Sequence, residues 1–451
     1  MLIREITIHN LRLLRDVKIP FERDGQPRTW TVLIGRNGTG KTSILQAIAL
    51  AAAGNAGAIS LADAVRDQLP DMRRAGDVAI DATFGFGPIG QQRGERPLAP
   101  DGKRPEGLGV ELRVPPGRDP LRAVSWYTPL RGDKPEGSGT EATDPLVAAR
   151  ARDLNHWFVI GYGMFRRADD AQPGQKPPDW PSINRLRPLF QPVPLIGPGF
   201  LDILPEELKG PYTAILQQII KGSQGDDPVL PGIVDLERRG RGGVQSTYDL
   251  NERNRWVEQI GTRRVKLPAS WFAHGHQSTI AWISDLVGHV LLEAGSYVEP
   301  REMEGIVLID EIDLYLHPAW QVRFIRALQR TFPGLQFVAT THSPILLTGL
   351  RRDEVVILER DPEDGDVMWR HPDRDPRLLT GSELYEEFFE IRDLYPTDLA
   401  RTLDAWRTLA MNPHRPAEAE AEIDRLEGIM KREGIAVRPR VPRAGGAEAA
   451  E

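Results

Sequence analysis

The chain has 451 residues, 40% hydrophobic and 27% charged, so it can bury the cores of one large or two to three ordinary domains and is not disordered as a whole. Its 57 lysines and arginines against 64 acidic residues give a net charge of -7, which excludes a polycation that coats nucleic acid but not a local basic groove. Cysteine is absent, which excludes disulfide scaffolds, cysteine-ligated zinc and thiol nucleophiles.

The first 19 residues alternate apolar and polar side chains, as a strand does, and carry charges where a signal peptide needs an apolar stretch. No segment approaches the roughly 20 consecutive apolar residues that span a bilayer. The sequence therefore predicts a cytoplasmic protein that does not engage a membrane.

Residues 1 to 167 are predicted to form an N-terminal lobe. Alternating runs separated by Gly/Pro-rich turns between 77 and 128 favour an antiparallel sheet. The predicted strands are Ile3–Ile8, Val17–Phe21, Trp30–Ile34, Val78–Phe86, Val110–Val114, Ala123–Tyr127 and Trp157–Gly161, and the predicted helices are Ser43–Ala53 and Pro145–Leu154.

Residues 168 to 264 are rich in proline and glycine and contain one predicted helix, Pro205–Lys221. We interpret them as an inserted arm; a surface loop without a function is the alternative. From 265 to 375 helices and strands alternate, which predicts βαβ units, a partly parallel sheet and a C-terminal lobe. Residues 376 to 451 are predicted to be helical and to end in a loose tail. The fold class is therefore α/β, a mixed sheet with an antiparallel subdomain.

The segment from Gly35 to Thr42 fits the pattern G-x-x-x-x-G-K-[ST]. An apolar strand precedes it and a helix follows, so backbone N–H groups and the helix N-terminus can surround phosphates. Lys41 is expected to reach the β- and γ-phosphates and Thr42 to bind Mg²⁺. The alternative is a glycine-rich turn that matches by chance. The predicted nucleotide-binding residues in this loop are Gly35, Asn37, Gly38, Thr39, Gly40, Lys41, Thr42 and Ser43.

Two carboxylates, Asp310 and Glu311, follow a predicted buried strand, Ile306–Ile309. Asp310 is the second candidate ligand of Mg²⁺, and Glu311 is the candidate base that orients and deprotonates water. One strand later, after Gln336–Thr340, His342 is the candidate sensor of the γ-phosphate; by itself this histidine would more often cap or pack.

The segments IGRNGTGKTSIL, VLIDEIDLYLHPAWQ and FVATTHSPILL together resemble the ABC-type ATPases of the structural-maintenance-of-chromosomes (SMC), RecF and overcoming-lysogenization-defect group. They look most like the compact AAA family ATPases of bacterial anti-phage defence, of the Septu or retron type. A weaker similarity covers Tyr162, Gly163 and Arg166. The resemblance implies an ABC-type ATPase head that binds ATP and Mg²⁺.

The resemblance also implies a head-to-tail dimer in which a signature loop covers the nucleotide of the other copy. Gly275 takes the glycine position of that loop, whereas Phe272 and Ala273 replace its usual leucine and serine. The serine contact is then lost or supplied by Ser278, which puts efficient hydrolysis in doubt. The resemblance likewise makes Asp313 and His317 candidate contacts across the dimer. The alternative is that these two residues only form the turn that leads into the next helix. The glutamine that relatives place between the lobes is not assigned.

The function expected from these motifs is a dimeric ATPase switch that controls a DNA-acting effector, such as a nuclease, in anti-phage defence. No nuclease signature is visible, so the effector is expected to be a separate protein. The C-terminal helices, residues 382 to 432, are the candidate docking site because they carry apolar residues such as Leu403 and Trp406 at helical spacing; the alternative is that these residues cover the protein's own core. DNA or RNA is a candidate ligand. A homodimer or higher even oligomer is expected. The alternatives are an ATP-dependent scaffold with little hydrolysis and an ATPase of DNA repair or chromosome maintenance.

Overall fold

The structure is a computed structural model, which describes residues 1–63, 65–71, 73, 76–87, 102, 104–115, 119–129, 144–150, 158–168, 181–221, 228–238, 254–389, 391, 397–436 and 439–442. The chain divides into two compact units, Met1–Leu384 and Tyr385–Glu451. The ends of the helix predicted over Pro145–Leu154 and the start of the strand predicted at Trp157 lie outside the described residues.

A five-stranded antiparallel sheet lies in the first unit, in the order β2-β1-β6-β7-β8. Its alternating pattern places Ile6, Ile8 and Ile80 in the core while polar neighbours face outward, as expected for a sheet with one covered face. The strands are β1 (Leu2–Leu11), β2 (Leu14–Pro20), β6 (Val78–Gly85), β7 (Gly107–Val114) and β8 (Arg122–Thr128), and a small hairpin adds β3 (Glu22–Arg23) and β4 (Gln26–Pro27).

A six-stranded sheet, in the order β16-β15-β5-β14-β13-β9, forms the second layer. Five strands are parallel and β16 is antiparallel. Strands β5, β13 and β14 are buried along their whole length, as expected for strands of mostly apolar sequence in a parallel sheet. The strands are β5 (Trp30–Gly35), β9 (Val159–Tyr162), β13 (Gly305–Ile309), β14 (Leu335–Thr340), β15 (Val355–Arg360) and β16 (Val367–Arg370). The predicted α/β fold class, a mixed sheet beside an antiparallel one, is confirmed.

Helix α1 (Lys41–Ala62) follows β5 and runs through the core. It is interrupted at Gly54, where φ is 70°, one residue after the predicted helix end at Ala53. By length and composition this helix could cross a membrane, contrary to the sequence-based expectation that no segment would, and 78% of its most apolar stretch is buried inside the protein. Burial of this kind is also typical of the core helix of a protein outside the membrane.

The described part of the predicted arm packs against other elements of the first unit. Tyr212 is fully buried, and its hydroxyl donates to the carbonyl oxygens of Gly197 at 3.0 Å and Ser284 at 3.2 Å. A three-stranded antiparallel sheet follows, and its last strand crosses the predicted boundary at 264. The elements are α3 (Pro181–Asn184), α4 (Phe200–Ile203), α5 (Glu206–Lys221), β10 (Ile233–Arg238), β11 (Asn254–Ile260) and β12 (Arg263–Leu267), after the short helix α2 (Pro145–Arg150).

Helices α6 (His274–Ala294) and α7 (Pro318–Thr331) flank the parallel sheet, and α8 (Gly381–Phe389) contains the boundary between the units. In the second unit, α9 (Thr397–Ala410) and α10 (Ala419–Arg432) form a hairpin. Leu403 and Trp406, apolar residues that the sequence offered for docking an effector, are buried in the core of this hairpin against Ile423 and Leu426. They therefore cover the unit's own core.

Candidate nucleotide-binding site

The loop between β5 and α1 has the shape of a phosphate cradle. Gly38 and Gly40 have φ values of 77° and 85°, which L side chains rarely adopt. A Cβ on Gly40 would lie 2.7 Å from Leu14 Cδ2, so this position is closed to larger residues. The hydroxyl of Thr39 donates to the carbonyl oxygen of Arg36 at 2.9 Å, whereas Asn37 is exposed at the tip of the loop. The loop therefore turns its backbone around a space at the N-terminus of α1.

Lys41 lies buried at the first turn of α1. Its Nζ donates to the carbonyl oxygens of Gly35 at 2.7 Å and Arg36 at 3.0 Å. Burial lowers the pKa of Lys41, and the charges of Asp310 and Glu311 partly offset that effect. A cation held in this way, at the mouth of a backbone cradle, is suited to bind phosphate oxygens.

Thr42 and Asp310 meet directly, although 268 residues separate them. The Thr42 hydroxyl donates to Asp310 Oδ2 at 2.8 Å, and the Thr340 hydroxyl donates to Asp310 Oδ1 at 2.6 Å. Strands β5, β13 and β14 bring these residues together because the carboxyl ends of parallel strands lie at one edge of the sheet. The next residue of the loop helix, Ser43, is buried and accepts a hydrogen bond from Arg12 at 3.0 Å.

Glu311 follows Asp310 with a positive φ of 48°, an uncommon conformation for a residue other than glycine. Its backbone N–H donates to Thr340 Oγ1 at 2.7 Å. His342 Nε2 lies 4.0 Å from Glu311 Oε1, and both side chains are partly exposed. The structure therefore places the predicted base and the predicted γ-phosphate sensor beside each other and open to a ligand.

Gly275 and Ser278 lie in the first turns of α6, where the signature-like loop leads into the helix. A Cβ on Gly275 would lie 2.4 Å from the backbone oxygen of Tyr315, so only glycine allows this approach. Ser278 is 5% exposed, and its hydroxyl accepts a hydrogen bond from Arg166 at 3.3 Å. A contact from Ser278 to a nucleotide on another copy would require that burial and that bond to be given up.

The two candidate contacts across the dimer have partners within this chain. Asp313 Oδ1 accepts a hydrogen bond from the hydroxyl of Thr341 at 2.6 Å. His317 precedes α7, and its Nδ1 accepts from the backbone N–H of Ala319 at 3.3 Å, which is the helix-entry turn considered as the alternative. Tyr315 lies between them with φ 66° and a side chain that is 62% exposed.

The residues present fit a magnesium nucleotide. A Cβ on Gly35 would lie 2.4 Å from the backbone oxygen of Leu358, and Gly38 and Gly40 have positive φ, so the loop keeps its glycines; Thr42 and Asp310 supply a hydroxyl and a carboxylate oxygen. Mg²⁺ prefers oxygen ligands and is usually held by one or two protein groups together with phosphates and water. In the part of the chain that the structure describes, no group of three or more His, Asp or Glu side chains could hold a metal alone.

Two residues join this site without having been assigned to it from the sequence. Thr340 binds both acidic residues, and Arg166 is buried against the carbonyl oxygens of Asp310 and Glu311. The weak similarity at 162–166 pointed to Arg166, but its partners lie 144 and 145 residues away along the chain. Thr340 carried no signal apart from its place at the end of a buried strand.

Two family models match separate parts of the chain. The model described as "AAA ATPase domain" matches residues 1–85, and the model described as "AAA domain, putative AbiEii toxin, Type IV TA system" matches residues 206–348. The first match contains the phosphate loop, and the second contains the signature-like loop, the acidic pair and His342. The matched regions therefore include every site residue predicted from the sequence.

The chain is 25% identical to the Septu protein PtuA of Bacillus mycoides (strain KBAB4) over 94% of this chain and 50% of that protein. It is 27% identical to the retron Ec83 probable ATPase of Escherichia coli over 48% of this chain and 37% of that protein. The chain thus matches half or less of the length of these two relatives. Among solved structures, an SmcHead bound to the C-winged helix domain of ScpA aligns over 83% of this chain and 98% of that one, with 14% identity and a TM-score of 0.48. The family models and the curated relatives confirm the resemblance: the chain is similar to AAA family ATPases, among them those of Septu and retron systems.

Proposed function

We propose that the chain binds ATP with Mg²⁺, hydrolyses the ATP, and acts as a dimeric switch for a separate effector in anti-phage defence. Nucleotide binding is assigned to the loop from Gly35 to Ser43, with Lys41 on the phosphates. Thr42 and Asp310 would hold Mg²⁺, which neutralises charge on the phosphates when it is bound. The single observation that carries the proposal is the 2.8 Å hydrogen bond that joins Thr42, at the phosphate loop, to Asp310, at the acidic pair.

Hydrolysis is assigned to Glu311 and His342. Glu311 has a partly exposed carboxylate at the edge of the site and would accept a proton from the attacking water. His342 lies 4.0 Å from that carboxylate and would contact the γ-phosphate. The fixed backbone of Glu311, held by Thr340, supports this assignment because a base must be positioned before its basicity matters.

The dimer is proposed to form on the face that carries the signature-like loop. Trp271 and Tyr315 are 74% and 62% exposed there, although large aromatic side chains are usually buried. The ring of His274, three residues after Trp271, lies 6.0 Å from that of Tyr315. An exposed aromatic surface next to Gly275 favours contact with a second copy whose nucleotide the loop would cover.

The effector is proposed to be a separate nuclease or other DNA-acting protein. This proposal follows from the sequence given, in which no nuclease constellation was found. Direct binding of DNA or RNA belongs to the same proposal. The apolar residues Leu403 and Trp406 do not support docking on α9, because they are used inside the hairpin.

A scaffold that binds ATP but turns it over slowly is the second candidate. The burial of Ser278 favours it, since the hydroxyl expected to replace the signature serine is enclosed by protein and bonded to Arg166. Turnover by the wild-type protein distinguishes the two candidates.

The switch is tested by the mass of Glu311→Gln in solution, measured by size-exclusion chromatography with light scattering. With Mg-ATP this variant is expected to double its mass, because ATP is bound and not consumed; with ADP, or when combined with Lys41→Ala, it is expected to stay at its starting mass. An unchanged mass with saturating Mg-ATP would contradict the dimeric switch while leaving ATP binding intact.

A further inference from the structure

Arg166 is an arginine almost completely enclosed by protein. It follows β9 and is 4% exposed, whereas the neighbouring Arg167 is exposed. Burial lowers the pKa of Arg166 to about 10, so the side chain keeps its charge at neutral pH. A buried charge is costly unless several partners surround it, so the partners of this guanidinium indicate what it holds in place.

The guanidinium reaches three separate segments. Nη1 donates to the carbonyl oxygens of Gly163, at 3.1 Å, and Asp310, and Nη2 donates to that of Glu311 at 2.7 Å. Nε donates to the hydroxyl of Ser278 at 3.3 Å. One side chain thus connects its own loop, the end of β13 and the first turns of α6.

The peptide of Glu311 is held from both sides. Its N–H donates to Thr340 and its carbonyl oxygen accepts from Arg166. These bonds secure a backbone with φ 48°, a conformation whose cost is on the order of 1 kcal/mol or more for a non-glycine residue. Without Arg166 the carbonyl oxygens of Asp310 and Glu311 lose a charged donor, and the peptide is free to relax to a negative φ.

The other end of the connection is the signature-like loop. Ser278 lies one helical turn after His274, at the start of α6, and Gly275 touches the backbone of Tyr315. A shift of this first turn therefore moves the Ser278 hydroxyl relative to Arg166. Lysine could not make the same connection, because it lacks the planar fork that serves several acceptors at once.

We propose that Arg166 is a positioning residue that couples the start of α6 to the backbone of Glu311, so that the state of the signature-like loop controls hydrolysis. This inference rests on the proposed function of Glu311 as the base. Arg166 touches neither Lys41 nor the glycine loop in any of the contacts described above, so it acts on turnover and not on nucleotide affinity.

The test compares Arg166→Ala, Arg166→Lys, Ser278→Ala and the double variant Arg166→Ala/Ser278→Ala in the full chain, with Arg167→Ala as the matched control. Arg166→Ala is expected to keep the Kd for ATP within about threefold and to lower kcat by at least about 100-fold. Arg166→Lys recovers part of kcat, and Ser278→Ala lowers it about threefold to tenfold. The kcat of the double variant is expected to be no lower than that of Arg166→Ala alone, because the two residues act through one connection. Additive losses, or a parallel loss of ATP affinity and kcat in Arg166→Ala, would assign Arg166 to general stability and overturn the proposal.

A second readout does not depend on turnover. Hydrogen–deuterium exchange of the nucleotide-free protein is expected to speed up over residues 310–314 in Ser278→Ala, although that residue does not touch them, and this effect disappears in the Arg166→Ala background. Unchanged exchange over 310–314 in both single variants would overturn the coupling. Should the wild-type protein bind ATP without hydrolysing it, the role of Glu311 fails, and exchange alone decides whether the coupling exists.

Discussion

The hydroxyl of Thr340 donates to Asp310 Oδ1 at 2.6 Å and accepts from the backbone N–H of Glu311 at 2.7 Å. One buried side chain on β14 therefore orients both acidic residues at the end of β13. Thr340→Val keeps the shape and removes both bonds, so it leaves buried polar groups unpaired at a cost of about 1–3 kcal/mol. We expect a lower free energy of unfolding in urea and a kcat reduced at least about tenfold.

The matched control for this variant is Thr31→Val. Thr31 is also fully buried in the same sheet, on β5, but its hydroxyl has no hydrogen-bond partner among the residues that the structure describes. Thr31→Val is expected to leave kcat unchanged and to leave stability unchanged or raise it. Equal effects of the two substitutions would show that the hydrogen bonds of Thr340 do not matter.

Lys41→Ala is expected to abolish ATP binding, because it removes the cation at the mouth of the phosphate cradle. Calorimetric titration should give no measurable heat of binding, while the circular dichroism spectrum stays that of the wild type. Lys431→Ala, an exposed position in the second unit, is the control and binds ATP normally. Undiminished affinity in Lys41→Ala would refute the assignment of the loop.

Gly275→Ala is expected to disturb the signature-like loop and not the phosphate loop. Its Cβ would lie 2.4 Å from the backbone oxygen of Tyr315, and backbone cannot move aside cheaply. Forced overpacking of this kind costs about 1–3 kcal/mol. We expect a lower melting temperature and a lower kcat with a wild-type Kd for ATP. Gly210→Ala, on α5 with no atom within 4 Å of its added Cβ, should be neutral or stabilising.

Asp285 and His289 are a buried pair whose pKa values shift in opposite directions. We therefore expect stability to depend on pH with opposite signs when one or the other of them is replaced. Burial raises the pKa of Asp285 to about 7, so its contribution to stability is full below its ordinary pKa of 3.8 and is lost as the pH rises through 7. Burial lowers the pKa of His289 to about 3, with a smaller lowering by the charge of Arg185, so its contribution is full above its ordinary pKa of 6.5 and is lost as the pH falls. The two oppose each other between pH 5 and 6.5.

Urea unfolding at pH 7 and pH 5 tests this opposition. On acidification the free energy of unfolding of Asp285→Asn should fall by about 2 kcal/mol more than that of the wild type. In this variant the loss of stability from His289 is no longer offset by the gain from Asp285. His289→Gln should instead gain stability on acidification. Tyr162 donates to Asp285 Oδ2 at 3.2 Å and stays protonated throughout, since burial raises its pKa. Parallel pH dependences in all three proteins would contradict the account.

The sequence predicted the central strands and the phosphate loop well, because both depend on local patterns. Trp30–Gly35 is buried on both faces, so its sequence is apolar apart from Thr31, and the loop needs glycine at fixed spacing. The packing of the predicted arm was not foreseen. Tyr212 is bound to Ser284, 72 residues away, and a proline-rich composition gives no sign of such a contact.

Residues of the candidate site could be predicted only where they belong to a sequence motif. Lys41 belongs to the glycine-rich motif after one strand, and Asp310 and Glu311 form the acidic pair after another. Arg166 and Thr340 contact the acidic pair only in the folded sheet, so their proposed roles depend on distances that a single sequence does not contain.

The role of Glu311 is tested most directly by phosphate release from ATP, measured for wild type, Glu311→Gln and the surface control Glu363→Gln, with ATP affinity determined on the same samples. We predict that the wild type and Glu363→Gln hydrolyse ATP at the same rate, and that Glu311→Gln binds ATP with the wild-type Kd and turns it over at least about 100-fold more slowly. Turnover by Glu311→Gln at the wild-type rate would contradict the assignment of Glu311 as the base.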